Sequence, residues 1–143
     1  MATKTQTDTV EDIMSSPVVS VEMDDTLEVV KEIFDSVWFH HLLVVSSSRL
    51  VGVLSDRDYL KAISPNVGTI SESRSDLETL NRRAHQVMSR NLITLRASAS
   101  IVDAIILFNT NNVSCIPVVN ADNQPVGIVS WRDILNYMVA EAA

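Results

Sequence analysis

Two short stretches place the residue types that could do chemistry in the same order: Gly52-Val53-Leu54-Ser55-Asp56-Arg57-Asp58 and Gly127-Ile128-Val129-Ser130-Trp131-Arg132-Asp133. Each runs glycine, two apolar residues, serine, two variable residues, aspartate. A serine followed three residues on by an acid admits two readings. It is a capping box, in which the serine caps a helix and the acid reaches back to the serine amide. Alternatively it marks a site where a strand gives way to a helix whose first amides and dipole favour an anion. An ionised aspartate there accepts hydrogen bonds and so can chelate the two hydroxyls of a ribose. The glycine permits close approach of backbone or ligand. One copy favours the cap; two copies in matching halves favour a paired nucleotide site.

The halves do match. Asp12-Ile13-Met14-Ser15 corresponds to Gln86-Val87-Met88-Ser89, Val18-Val19-Ser20-Val21 to Leu92-Ile93-Thr94-Leu95, Phe34 to Phe108, and Leu42-Leu43-Val44-Val45 to Ile116-Pro117-Val118-Val119. Asp25-Thr26 followed by Glu28 predicts a helix start, and Leu27, Val30, Phe34, Val37 and Trp38 share one helical face. Ser100 opens the equivalent helix, with Ile101, Ala104, Ile105 and Phe108 inward and an end near Asn109–Asn112. Leu42–Val45 and Leu50–Leu54 read as strands joined by a tight turn; Cys115–Val119 and Val126–Val129 repeat them across a longer loop. A helix follows each second strand, from Asp56 to about Ile63 and from Trp131 to about Ala140. Each half is strand–helix–strand–strand–helix. Between them, after a loop from Ser64 to Thr69, Ser75 followed by Glu78 predicts a connecting helix with Leu77, Leu80, Ala84, Val87 and Met88 as its stripe. The repeats span 10–64 and 84–141, with 65–83 as linker. The polar start, Met1 to Thr9, is expected to fray.

The composition bounds the function. Asp and Glu number 18 against 11 Lys and Arg, a net charge of −7. That argues against nucleic acid, whose affinity rests on basic patches, while leaving room for a small anion in a local basic pocket. No apolar run approaches the ~20 residues of a membrane span, and the start lacks a signal peptide's apolar core, so a cytoplasmic protein without membrane contact is expected. Cys115 stands alone, so no intrachain disulfide is possible, and it reads as a buried structural thiol. No Cys/His set has zinc spacing, and no phosphate loop, nucleophile elbow or triad is visible. The chain is not expected to be an enzyme.

Taken together, the Asp-Ile-Met-Ser opening, the apolar-Pro-Val-Val stretch at Ile116–Val119 and the two Gly-x-x-Ser-x-x-Asp closings resemble a tandem pair of cystathionine β-synthase (CBS) domains, a Bateman module, over about residues 10–140. The resemblance implies an α+β fold of two pseudo-symmetric β-α-β-β-α repeats packed through their sheets, with two clefts. It implies a homodimer that regulates an unknown partner protein and needs no obligatory cofactor. The implied ligand is an adenosine nucleotide such as AMP, ADP or ATP, or S-adenosylmethionine. By position, Asp58 and Asp133 would hold ribose hydroxyls, and Ser55 and Ser130 would contact ribose or phosphate. His40 would contact phosphate, with His41 at the neighbouring, often basic position and Arg57 and Arg132 in reach of phosphate. The adenine-facing wall would come from Ile13, Val19 and Phe39 for the Asp133 cleft, and from Val87, Ile93, Val113 and Ser114 for the Asp58 cleft.

Two departures stand out. Leu43 occupies a position where the family often has proline, and Ser114-Cys115 replaces the basic pair His40-His41 in the second repeat. Unequal clefts follow, with His40, Ser55 and Asp58 marking the better phosphate site. The competing reading is a ligand-free interaction or scaffold protein with degenerate clefts.

Overall fold

The computed structural model describes residues 8–37 and 39–142. Trp38 and the first seven residues lie outside them. The chain is α+β and forms two compact units. One runs from Val19 to Leu92; the other combines the residues up to Val18 with the chain from Ile93 onward.

The Val19–Leu92 unit holds strand β1 (Ser20–Glu22), helix α1 (Leu27–Ser36), strands β2 (His41–Ser46) and β3 (Arg49–Ser55), and helices α2 (Asp56–Ala62), α3 (Arg74–Glu78) and α4 (Ala84–Val87). The sheet order is β1-β2-β3. Leu42, Leu43, Val44 and Val45 are all buried, as a continuous apolar run requires of a central strand covered on both faces. β1 lies parallel to β2, with α1 as the crossover that parallel pairing needs. β2 and β3 form a hairpin whose turn residues Ser47 and Ser48 both take positive φ, 51° and 67°, a backbone that matches strand twist. The core gathers Val21, Leu27, Val30, Leu54, Leu80, Ala84 and Met88.

The second unit holds helix α5 (Ile101–Thr110), strands β4 (Cys115–Val119) and β5 (Pro125–Ser130), and helix α6 (Trp131–Ala142). Its core gathers Val10, Leu95, Ile101, Phe108, Ile116, Val129 and Ile134. In its longer hairpin loop the Asn120 side chain accepts from the amides of Asp122 and Gln124 at 2.9 and 3.0 Å.

Three expectations need correction. The second repeat's opening strand reduces to a single bridge, Leu95 to Val118. The reason is Pro117. In the first unit the Leu43 amide donates to Val19 carbonyl at 3.2 Å and begins the β1 ladder; Pro117, at the matching position, has no amide to give. The residue that departs from the family pattern is thus the one that completes a strand.

The connecting helix is neither continuous nor opened by Ser75 and Glu78. Ser73 caps α3, its hydroxyl accepting from the Asp76 amide, and Asp76 accepts in return from the Ser73 amide at 2.8 Å. Asp76 also accepts from the Ser64 hydroxyl at 2.6 Å, and these hydrogen bonds hold its carboxyl below the usual range. The chain then turns extended at Arg82 and Arg83. Backbone bonds to the loop between β1 and α1 hold it there: Leu27 amide to Arg82 carbonyl, Ala84 amide to Asp25 carbonyl, both 2.8 Å. Tertiary ladder bonds outweigh the helical period of the stripe.

At the start of the chain, Asp8 and Thr9 are fixed rather than frayed. Thr9 bridges Ser100, and Asp8 accepts from the Tyr137 hydroxyl at 2.8 Å.

Candidate functional site

Both Ser-x-x-Asp motifs sit at a strand-to-helix turn, and both are capping boxes. In the first, β3 ends at Ser55, whose hydroxyl accepts from the Asp58 amide while the Asp58 carboxylate accepts from the Ser55 amide, each at 3.0 Å. In the second, the Asp133 carboxylate accepts from the Ser130 amide at 2.8 Å and from its hydroxyl at 3.1 Å. The cap reading is therefore correct locally. It does not displace the ligand reading, because a carboxylate has about four acceptor positions and the caps in both units engage Oδ2. Both aspartates are half-buried, which leaves them within reach of a ligand.

The turn at Ser55 collects more polar groups. The Asp56 amide donates to the His40 carbonyl at 2.8 Å, and the register pairs His41 with Ser55. This brings the start of β2 against the start of α2, so His40, His41, Ser55 and Asp58 meet. Asp56, which the sequence offered only as a variable position, joins them: its Oδ2 lies 2.8 Å from His40 Nδ1. His41 is half-buried, and burial lowers its pKa, opposed by Asp56, reinforced by His40 and opposed by Asp58. Its ring is neutral at pH 7. His40 is exposed, and the Asp56 carboxylate already holds its ring.

The turn at Ser130 is poorer in charge. Trp131 stands where the first copy has Asp56 and packs its ring on Phe108 at a centroid distance of 4.8 Å. Cys115, paired with Ser130 across the hairpin, has its thiol pushed up to about 12 by burial. Arg57 and Arg132 are exposed.

The remaining candidates divide between the units. Val87 and Phe39 pack against the core of the first unit, and Val19 is exposed there. Ile13 and Val113 pack against the core of the second, where Ile93 is half-buried and Ser114 exposed. Val19 and Phe39, which the resemblance assigned to Asp133, thus lie in the unit that carries Asp58. Ile93, Val113 and Ser114, assigned to Asp58, lie in the unit of Asp133. Among the described residues no group of three or more His, Cys, Asp or Glu could hold a metal ion, and no helix is long and apolar enough to cross a membrane.

A repeated unit of this topology, closed by a Ser-x-x-Asp turn at the start of its last helix, defines a class of paired domains. The chain belongs to the CBS domain family: the family model matches residues 10–65 and 84–140. It is similar to a CBS domain-containing protein of Dictyostelium discoideum, 27% identical over 132 residues, covering 91% of this chain and 90% of that one. A longer relative, from Methanocaldococcus jannaschii, is covered over 38% of its length. Among solved structures it resembles the CBS domain of a CBS domain-containing membrane protein from Sphaerobacter thermophilus, with a TM-score of 0.81, 28% identity, and 94% and 90% of the two chains covered. It also resembles the CBS domain pair of protein MJ0100 in complex with 5′-methylthioadenosine and S-adenosyl-L-methionine, with a TM-score of 0.74, 25% identity, and 92% and 99% covered.

Proposed function

We propose that this protein is a regulatory module that binds an adenosine-containing ligand, AMP, ADP, ATP or S-adenosylmethionine, and passes its occupancy to a partner protein. The observation that carries this reading is the half-buried aspartate at each Ser-x-x-Asp turn, fixed by its cap with acceptor capacity to spare. The adenosine ligands of the similar MJ0100 pair support it. Asp58 and Asp133 would accept from the ribose hydroxyls, with Ser55 and Ser130 beside them. Ile13, Val19, Phe39, Val87, Ile93, Val113 and Ser114 are the candidates for contact with the base. The Asp56 carboxylate on His40 favours ligands of low negative charge at the Ser55 turn, because a phosphate must compete with it for the imidazole. Regulation follows only if the ligand binds one state of the protein better than another.

The test is thermal unfolding of nucleotide-stripped protein with each ligand. At a hundredfold excess over Kd, binding to the folded state adds about 2.7 kcal/mol, several degrees for a domain of this size. A shift lost in Asp58→Ala or Asp133→Ala supports the reading and identifies the live turn. Identical curves with every ligand favour the scaffold reading, for which the tethering of His40 by Asp56 is the supporting observation.

A further inference from the structure

The two Ser-x-x-Asp turns differ in whether their charge can change. The first gathers His40, His41, Asp56, Arg57 and Asp58; the same positions at the second hold Ser114, Cys115, Trp131, Arg132 and Asp133. Imidazole is the side chain that ordinarily changes charge between pH 5 and 8, and only the first turn has it. With both rings neutral, two carboxylates and one guanidinium leave that turn net negative by one. With both rings protonated it is net positive by one.

The geometry at His40 makes the change a reversal of hydrogen-bonding sense as well. Its Nδ1 lies 2.8 Å from Asp56 Oδ2. An ionised carboxylate only accepts, so Nδ1 carries a proton in either state of the ring. The state of the ring therefore shows at Nε2, which has no partner among the described residues. In the neutral ring Nε2 accepts; in the imidazolium it donates. A phosphate needs the donor and the positive charge. An ammonium needs the acceptor.

His41 stands beside this group. Burial lowers its pKa, opposed by Asp56, reinforced by His40 and opposed by Asp58. The other charges on neighbouring elements are engaged or distant. Lys31 and Asp35 of α1 pair at 2.7 Å, and His85 of α4 lies 3.8 Å from Asp24. The Arg90 guanidinium donates to the His85 carbonyl at 3.1 Å. Glu22 of β1 pairs with Val45 near the other end of β2, and Lys61 stands in the last turn of α2.

We propose that His40 and His41, with Asp56 as the fixed partner, decide which ligand charge the Ser55 turn accepts: deprotonated they favour a cationic adenosyl ligand such as S-adenosylmethionine, and protonated they favour a phosphorylated one such as AMP. This rests on the ligand reading above and adds a proton-set choice to it, confined to one turn. Linkage is reciprocal, so AMP draws protons onto the turn and S-adenosylmethionine releases them.

Calorimetry of Asp133→Ala, in which the Ser55 turn is the remaining site, tests this. Between about pH 8 and about pH 5.5, AMP should tighten about fivefold and S-adenosylmethionine weaken about fivefold, the range of an exposed ion pair. Titrations in buffers of different ionisation enthalpy should show proton uptake with AMP and release with S-adenosylmethionine. Both effects should be lost in a His40→Gln, His41→Gln double variant of the same chain. The second ionisation of the phosphate, near pH 6, is common to both chains and cancels in the comparison. Trends or proton counts that persist unchanged in the double variant overturn the proposal and leave the ligand reading standing. So does ligand binding by the wild type that Asp133→Ala abolishes, which assigns the ligand to the Ser130 turn. No binding by the wild type at any pH overturns the ligand reading and the proposal with it. If the double variant fails to fold, His40→Gln, at an exposed position, decides through the proton count alone.

Discussion

Met14 lies against Gly127 so closely that a Cβ added to the glycine would stand 2.8 Å from Met14 Cγ and 3.2 Å from its Cβ. Met88 bears the same relation to Gly52, at 2.7 and 3.1 Å. Neither glycine takes the left-handed backbone; Gly68 is the glycine with positive φ. The motif glycine is therefore kept bare by the methionine of an opening segment, not by a turn. That segment also bridges the strand beside it, Ser15 to Ile128 and Ser89 to Val53. Gly127→Ala and Gly52→Ala should each cost about 1–3 kcal/mol through overpacking. In a Met14→Ala background the Gly127→Ala cost should largely vanish, since the two side chains share one space. Urea denaturation of the single and double variants measures this; strict additivity would contradict it.

Cap and ligand roles can be separated. Ser100 caps α5, accepting from the Asp103 amide at 3.0 Å, as Ser55 caps α2. Ser100→Ala and Ser55→Ala should each destabilise by ~1 kcal/mol. Only Ser55→Ala should also shrink the thermal shift given by an adenosine ligand. Equal shifts in both variants would reduce Ser55 to a cap.

Asp56 occupies the imidazole that a phosphate would use. Asp56→Asn should tighten AMP binding up to about fivefold, the range of an exposed ion pair, read by calorimetry. Unchanged or weaker binding would place His40 outside the site.

Burial, the largest influence on His41, lowers its pKa from 6.5. Below that value the unfolded chain binds the proton more readily than the folded one, so stability is complete above it and declines as pH falls through it. His41→Gln should flatten the fall in urea midpoint between about pH 7 and pH 5. A slope identical to wild type would assign the decline to other groups.

Cys115 should resist alkylation. The thiolate is the nucleophile, and burial pushes this thiol up to about 12. Iodoacetamide at pH 8 should label it slowly in the native state and quickly in urea. Equal rates would show that β4 opens readily.

The sequence by itself determined the duplication, the α+β elements, and the grouping of Ser55 with Asp58 and Ser130 with Asp133. These follow from local spacing: a cap joins residues three apart, apolar periods of two and of three to four mark strands and helices, and both survive any packing. The tertiary structure decided what depends on partners distant in the chain. The Leu77–Met88 stripe is periodic enough for one helix, yet bonds from residues 82–85 to residues 23–27 break it. Pro117 looks like an ordinary strand residue until the strand beside it needs its amide. Asp56 and His40 are sixteen residues apart, joined only because the hairpin returns His41 to Ser55. The unit boundary falls after Val18 and after Leu92, and Met14 and Met88 each pack on a glycine far along the chain, a pairing that no local pattern names.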